Sequence, residues 1–218
     1  DYIRYENLLD SIRWDINDFV DWVASDNPRT KYRNLITQSG GDTSDYPENA
    51  LETVFYPTNK IRLPVNKENV IKSGLVKEKD SDLILDYIDI DLPESIITKN
   101  QIMMLDILAN NNWERPIYFT GGSYEESEYI WMKDYLQLDG LVYKLVPIKT
   151  SIENNPYEMG RIDSDLMYDI VKKWSWGNSE SDEIYHDPET RKNSISFRGN
   201  LSRLSEELIL EGEYEKAE

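Results

Sequence analysis

The sequence predicts an α+β fold, with a small mixed or antiparallel sheet and a buried helix, followed by a helical C-terminal section that starts a tetratricopeptide-like repeat. Three patterns indicate this class. Short runs of β-forming residues alternate with turn residues between residues 53 and 148, one strongly apolar helix interrupts them, and the final third has helical periodicity. We expect an α+β domain over residues 1–150 and a helical section over residues 151–218.

The N-terminal part predicts one amphipathic helix. From Ile12, apolar residues recur at helical spacing, and the pattern stops at Asn27-Pro28 because proline disfavours helix in the residue before it. Residues 34–49 are rich in Gly, Ser, Thr, Asp and Asn, so we expect a mobile loop without regular structure.

The next segment predicts a β-hairpin, formed by residues 53–56 and 60–65 on either side of Pro57-Thr58-Asn59. A short helix over residues 66–73 follows and is closed by Gly74. A strand is then expected over residues 83–92.

The clearest helix begins at Thr98, because Thr98 and Gln101 have the spacing of a capping box. It is apolar almost all round and is therefore expected to be buried. Residues 110–112, all asparagine, suit a left-handed exit. Strands over residues 116–120 and 140–148 are expected to pair in one sheet.

The C-terminal pattern is helical. Asp187-Pro188 is typical of a helix cap with proline in the first turn, and Gly212 is a stop signal. Leu204 and Leu208 resemble the apolar face of a first tetratricopeptide helix. A single repeat cannot bury that face, so both leucines are expected to pack on the preceding part of the chain.

Composition excludes several functions. The chain has 218 residues, 39% of them hydrophobic, with 6 Trp and 15 Tyr, which is enough to build a core. The formal charge of −18 opposes binding to nucleic acid, and the absence of cysteine excludes disulfides and thiolate chemistry. No apolar run is long enough to predict a membrane span. Since the chain starts without methionine and stops within a helical pattern, we expect both ends to lie inside a longer protein.

A search for chemistry finds no catalytic residue, metal site or cofactor motif. His186 is the one histidine and lies in a predicted loop at the surface. Asp89 and Asp91 are more typical of a solvated strand face than of a metal site. The Gly-Gly turn of residues 119–123 lacks a phosphate-loop pattern, and Asp10-Ser11-Ile12 has the form of an acceptor for bacterial O-glycosylation.

Four ordered segments carry a family resemblance. They are Asn111-Asn112-Trp113-Glu114-Arg115-Pro116-Ile117-Tyr118-Phe119, residues 134–147 (DYLQLDGLVYKLVP), Gly160-Arg161-Ile162-Asp163 with Met167-Tyr168-Asp169, and residues 197–205 (FRGNLSRLS). Together they resemble the multi-pass Bacteroidetes membrane proteins described as protein O-mannosyltransferase-like. Gly199 departs from the second asparagine expected there.

The resemblance implies an N-terminal multi-pass region that holds the sugar-transfer machinery and a soluble continuation on the extracytoplasmic (periplasmic) side of the inner membrane. The implied partners are the protein's own N-terminal transmembrane region and a protein or glycan acceptor. The acidic catalytic residues of the family would lie in the membrane region, so no catalytic residue is carried over to this chain.

These observations favour a non-catalytic accessory or acceptor-binding region of a glycosyltransferase-like membrane protein. Two alternatives stay open: a carbohydrate-active enzyme that uses paired carboxylates, and a purely structural interaction module. Polar-tipped and cationic residues of the resembling segments are the candidate binding residues: Trp113, Arg115, Tyr135, Gln137 and Arg161. For the two arginines, simple pairing with carboxylates is the competing interpretation.

Overall fold

The structure is a computed structural model that describes residues 2–9, 12–120, 128–150, 159–179 and 181–218. Its mixture of small sheets and helices confirms the predicted α+β class. The strands are β1 (Tyr2–Tyr5), β2 (Trp14–Asp15), β3 (Phe55–Tyr56), β4 (Lys60–Pro64), β5 (Tyr87–Asp91), β6 (Ile96–Thr98), β7 (Tyr118–Thr120), β8 (Leu136–Asp139) and β9 (Val142–Leu145). The α-helices are α1 (Ile16–Ala24), α2 (Tyr32–Gln38), α3 (Glu48–Leu51), α4 (Lys67–Lys72), α5 (Lys99–Asn111), α6 (Ser164–Val171), α7 (Pro188–Leu210) and α8 (Tyr214–Ala217).

The chain packs as two compact units, Asp1–Arg115 and Pro116–Glu218. The first unit contains two mixed three-stranded sheets, in the orders β3-β1-β6 and β2-β4-β5. In each sheet the central strand has one parallel and one antiparallel neighbour. Inward residues such as Ile3, Ile61 and Ile90 are buried, so alternation along the strands builds the core.

The predicted hairpin around Pro57-Thr58-Asn59 is wrong. β3 pairs with β1, whereas β4 pairs with β2 and β5 in the other sheet, so the connection is a crossover. Thr58 and Asn59 are buried within it: the Thr58 hydroxyl donates to the Ile12 carbonyl at 2.8 Å and the Asn59 amide donates to the Leu92 carbonyl at 3.4 Å. The composition of residues 57–59 indicates a bend in the chain, but it does not indicate which strand each flanking run pairs with.

The expectation of an unstructured loop over residues 34–49 is also wrong. α2 occupies the start of this segment, a 3-10 turn covers Thr43–Asp45, and α3 begins at Glu48. These helices are too short to be stable alone, so tertiary contacts must hold them, and a local composition count does not detect such contacts.

The helix predicted from Thr98 is confirmed as α5, with both hydrogen bonds of the capping box present. Its left-handed exit is confirmed at Asn112, where φ is 45°. Full burial is not confirmed. Only one face packs against α1, with Leu105 buried, while Ile107 on the other side is 58% exposed.

The second unit is built on an antiparallel sheet in the order β7-β9-β8. The predicted pairing of the strands after Pro116 and Gly140 is confirmed, since Phe119 lies opposite Tyr143. β8 was not predicted as a strand. It pairs with β9 through a tight turn in which Gly140 has a φ of 70°.

Helices α6 and α7 cover one face of that sheet. Asp187 caps α7, and proline is its first residue, as predicted. Leu204 and Leu208 are 4% and 1% exposed, which confirms their predicted burial. They share one apolar cluster with Leu136, Leu138 and Tyr143 of the sheet, Met167 of α6, and Met159, which lies before α6.

The predicted domain boundary after residue 150 lies inside the second unit, between β9 and α6. The apolar cluster just described joins residues on both sides of that position. The division into domains of residues 1–150 and 151–218 stays a prediction.

Candidate functional site

A cleft of about 420 Å³ opens in the first unit. This volume is within the range of about 300 to 1,000 Å³ that small-molecule sites usually have. Its described lining consists of residues from β1 and from the stretch that runs from α2 through α3 to just before β3: Tyr2, Arg4, Tyr32, Ile36, Tyr46, Asn49, Ala50, Leu51 and Thr53.

Strand β1 forms one wall of the cleft. Alternation places Tyr2 and Arg4 on one face of the strand and Ile3 on the other, where it is buried opposite Ile97. The Arg4 guanidinium donates to the Tyr2 hydroxyl at 3.2 Å and lies 5.6 Å from the centre of the Tyr2 ring. The strand therefore presents an aromatic ring and a cation side by side.

The opposite wall comes from α2, α3 and the residues that join them. Tyr32 and Ile36 are four residues apart and share one face of α2. Arg33 ties α2 to α3, because its guanidinium pairs with Glu48 and also with Glu52, the latter at 3.0 Å. The hydrogen bond from the Tyr32 amide to the Thr53 carbonyl, 3.0 Å long, joins the start of α2 to the strand-forming segment.

Tyr32 is held rigidly within this wall. Its hydroxyl donates to Glu6, and its ring packs edge-on against Phe55 with centroids 5.8 Å apart. Burial raises the pKa of Tyr32 above its usual range, and the hydrogen bond to Glu6 raises this pKa further. The hydroxyl therefore stays protonated under ordinary conditions and acts as a fixed donor to Glu6.

Two other tyrosines are open to solvent. Tyr2 is 46% exposed and Tyr46 is 50% exposed. Among the described lining residues, Arg4 is the single charged side chain, and none carries a carboxylate, an imidazole or a thiol. The described part of the lining can stack, donate and accept hydrogen bonds, and it contains no pair of acidic and basic side chains of the kind that hydrolysis uses.

A second polar cluster is buried in the other unit. The Lys144 ammonium lies 3.1 Å from the Asp139 carboxylate, and the Gln137 amide donates to the same carboxylate at 2.8 Å. Both charged side chains are 5% exposed. Asp139 thus has donors at both oxygens, as expected for a structural ion pair.

The family model of TMEM260-associated domain 2 matches residues 1–166, about three quarters of the chain. The chain belongs to this family. No curated protein and no solved structure shows significant similarity to it. All the described cleft residues and the buried ion pair lie within residues 1–166, the part of the chain that the TMEM260-associated domain model matches.

Two of the five predicted site residues lie at the end of the first unit of the TMEM260-associated domain. Trp113 is 4% exposed, and its indole nitrogen donates to the Pro64 carbonyl at 2.8 Å. Arg115 is exposed, and its carbonyl accepts a hydrogen bond from the Asn111 side chain. Trp113 is therefore a core side chain here.

The other three lie in the second unit. Tyr135 and Gln137 are buried, and Arg161 is half-buried. Gln137 and Arg161 are partners in an isolated parallel bridge. The backbone of Arg161 forms hydrogen bonds of 2.8 Å with Leu136 and Leu138, the residues on either side of Gln137 in β8. A binding role for these five residues stays a prediction.

The cleft residues were missed by the sequence analysis. Tyr32 and Ile36 do carry a helical signal, since they are spaced four apart, and Tyr46-Pro47 precedes a short helical run. The polar composition between them outweighed this signal. Exposed tyrosines beside a short helix are the pattern that would have drawn attention to this segment.

The remaining candidates from the sequence are two strand carboxylates, one histidine and two short motifs. Asp89 accepts a two-point pair from Arg62 at 2.7 and 3.0 Å, and Asp91 pairs with Arg13 at 3.0 Å. The described part of the chain has no group of three or more potential ligands arranged to hold a metal ion. His186 is half-buried ahead of α7, whereas the Asp10-Ser11 acceptor pattern and the Gly121-Gly122 turn lie outside the described residues.

Proposed function

We propose that this chain is a non-catalytic binding region of a TMEM260-type membrane protein and that the cleft between β1 and the α2–α3 segment is its ligand site. The observation that supports this is the chemistry of the lining. Exposed tyrosine rings, one arginine and an amide surround a concave volume of small-molecule size. The lining holds no described carboxylate, so it supports recognition better than glycoside hydrolysis.

The membrane context follows from the family and from the resemblance to O-mannosyltransferase-like proteins. No helix in the described residues combines the length and the apolar character that crossing a membrane requires. On the resemblance to O-mannosyltransferase-like proteins, we propose that this region continues a multi-pass segment of the parent protein on the extracytoplasmic side. There it would bind an acceptor or contact its own transmembrane region.

The binding proposal is tested by nuclear magnetic resonance titration of the 218-residue chain with neutral and acidic monosaccharides, disaccharides and short peptides. At least one class of probe is expected to shift the amide resonances of Asn49 and Thr53. Tyr46→Ala should weaken that binding about 3- to 10-fold, because an exposed ring that stacks on a ligand is removed. Tyr185→Ala is the matched control, since Tyr185 is an 81% exposed tyrosine of the other unit.

Binding that Tyr46→Ala leaves unchanged would overturn the proposal, as would a panel in which no probe shifts the lining resonances.

The cellular location has a separate test by cysteine labelling. The chain contains no cysteine, so an introduced cysteine is the single thiol in this region. Asp26 is exposed, so Asp26→Cys in the parent protein should react, in cells with a permeabilised outer membrane, with a maleimide that does not cross the inner membrane. Labelling that also requires a permeabilised inner membrane would place the region in the cytoplasm, and the unsubstituted parent is the control.

A further inference from the structure

Arg4 is an arginine of the cleft that forms no close ion pair in a strongly acidic chain. Among the described residues, its guanidinium has one hydrogen bond, to the Tyr2 hydroxyl, and no carboxylate within ion-pair distance. The Glu6 carboxylate, which accepts the hydrogen bond of Tyr32, acts on Arg4 only through longer-range electrostatic attraction. Arg13, Arg33 and Arg62 of the same unit each pair with carboxylates. Because a guanidinium has five N–H donors in a planar fork, most of the donors of Arg4 remain available to a ligand in the cleft.

The groups around Arg4 suit a polyhydroxylated ring. The half-exposed rings of Tyr2 and Tyr46 offer flat faces for the C–H surface of a sugar, and their hydroxyls can exchange hydrogen bonds with its hydroxyl groups. The Asn49 side chain has no hydrogen bond to another described residue, so it offers a donor and an acceptor together. A purely apolar ligand would leave these polar groups without partners.

We infer that the cleft selects a saccharide that carries a single carboxylate, of the hexuronic acid class, with the carboxylate on Arg4 and the ring between Tyr2 and Tyr46. The inference rests on the proposed function of the cleft. An arginine and a carboxylate form a planar two-point pair, which fixes orientation as well as adding affinity.

Charge and shape argue against the other anionic ligands. A polyanion would meet the net charge of −18, which repels it, whereas a single carboxylate gains a local partner at modest cost. A folded protein partner would need about 800 Å² of its own surface, and such interfaces are usually flat rather than concave. The cleft volume of about 420 Å³ therefore favours one or two sugar rings.

The test compares matched probes on the complete chain. Methyl glucuronide, methyl galacturonide and methyl mannuronide are titrated beside the corresponding methyl hexosides, with N-acetyl-glycylglycine as a peptide that carries one carboxylate. At least one uronide is expected to bind about tenfold or more tightly than its hexoside, as a charge-assisted hydrogen bond predicts. Arg4→Gln should reduce this ratio to about two or less, while Arg29→Gln, which removes another exposed arginine of the same unit, should not change it.

Circular dichroism of the Arg4→Gln variant controls for folding, and the shifted amides must include Asn49. Hexosides that bind in the cleft as tightly as uronides would overturn the inference while leaving the proposed function intact. Peptide carboxylate binding as tight as that of the best uronide would overturn the saccharide class. If no sugar shifts the lining residues, the inference fails, and the wider probe panel then decides separately whether the cleft binds anything.

Discussion

Lys144 and Asp139 are the residues at which burial and charge conflict most directly. Removing two charges from water costs several kcal/mol for each ion, and their attraction offsets this cost only when the geometry and the additional hydrogen bonds are good. Here the pair is 3.1 Å long and Gln137 supplies a further donor to Asp139. The pair is therefore tolerated because it is complete.

Lys144→Met is expected to destabilise the chain by about 3 to 5 kcal/mol, because it leaves the Asp139 carboxylate buried without its cation. The double variant Lys144→Met with Asp139→Leu should recover most of this loss, since it removes both charges. Urea denaturation followed by tryptophan fluorescence measures both values. Equal stability of the single and double variants would show that the charges do not depend on one another.

This cluster also shows what a sequence does not reveal about single residues. Residues 136–139 alternate apolar and polar, which predicts that Gln137 and Asp139 face solvent. All four residues of β8 are buried instead. Alternation identifies which residues share a face, but not whether a second layer covers that face. Gln137 is a candidate binding residue because it is polar and lies in a resembling segment, and neither property reveals its burial.

At the scale of elements, helix caps were predictable because they depend on residues within one turn. Asp187 is the clearest case: the Thr190 amide donates to its carboxylate at 2.7 Å, and this hydrogen bond lowers the pKa of Asp187 below its usual value. A lowered pKa in the folded state means that the cap stabilises α7 above the unfolded pKa of about 3.9. The stabilisation is lost as pH falls through the folded value.

Asp187→Asn should therefore lower the melting temperature at pH 7, because asparagine keeps the cap hydrogen bond but loses the charge at the helix N-terminus. The difference from the unsubstituted chain should begin to shrink as the pH falls below about 4, because the unfolded chain then binds a proton at Asp187. It should vanish once the pH has fallen past the lowered pKa of the folded state. Asp182→Asn, an exposed carboxylate outside the helices, is the control. A melting-temperature difference that is constant from pH 7 to pH 3 would contradict the prediction.

Leu208 and Ile209 are neighbours on α7 with opposite environments, at 1% and 50% exposure. Leu208→Ala should cost about 2 to 5 kcal/mol, because it opens a cavity in the cluster around Met167 and Tyr143. Ile209→Ala should cost about 0.5 kcal/mol or less. Thermal or urea unfolding of the two variants measures the contrast, and similar losses for both would show that the helix does not pack as described.

Strand pairing and helix burial were the parts of the fold that sequence patterns predicted least well. The runs of residues 53–56 and 60–65 were both recognised, but they belong to different sheets. The apolar residues of α5 predict a helix buried on all sides. In the structure α1 packs against one face of α5, and Ile107 on the other face is exposed. Both errors concern contacts between distant residues, which periodicity within a segment does not encode.

For the whole molecule, the most informative question is where the chain divides. The apolar face of the β7-β9-β8 sheet is closed by Met167, Leu204 and Leu208, all of which lie after residue 150. A fragment that ends at residue 150 keeps the sheet and loses these side chains. A fragment that ends at residue 115 contains the first compact unit and none of that sheet.

We therefore expect residues 1–115 to unfold cooperatively and to bind little of the hydrophobic dye ANS, because that fragment keeps its own core. Residues 1–150 should bind ANS strongly and should be cut by protease after residue 115, because the sheet face is uncovered. Residues 116–218 should show helical circular dichroism and a melting transition that Leu208→Ala lowers. A fragment of residues 1–150 that unfolds in one sharp transition without binding ANS would instead support the domain boundary predicted from the sequence.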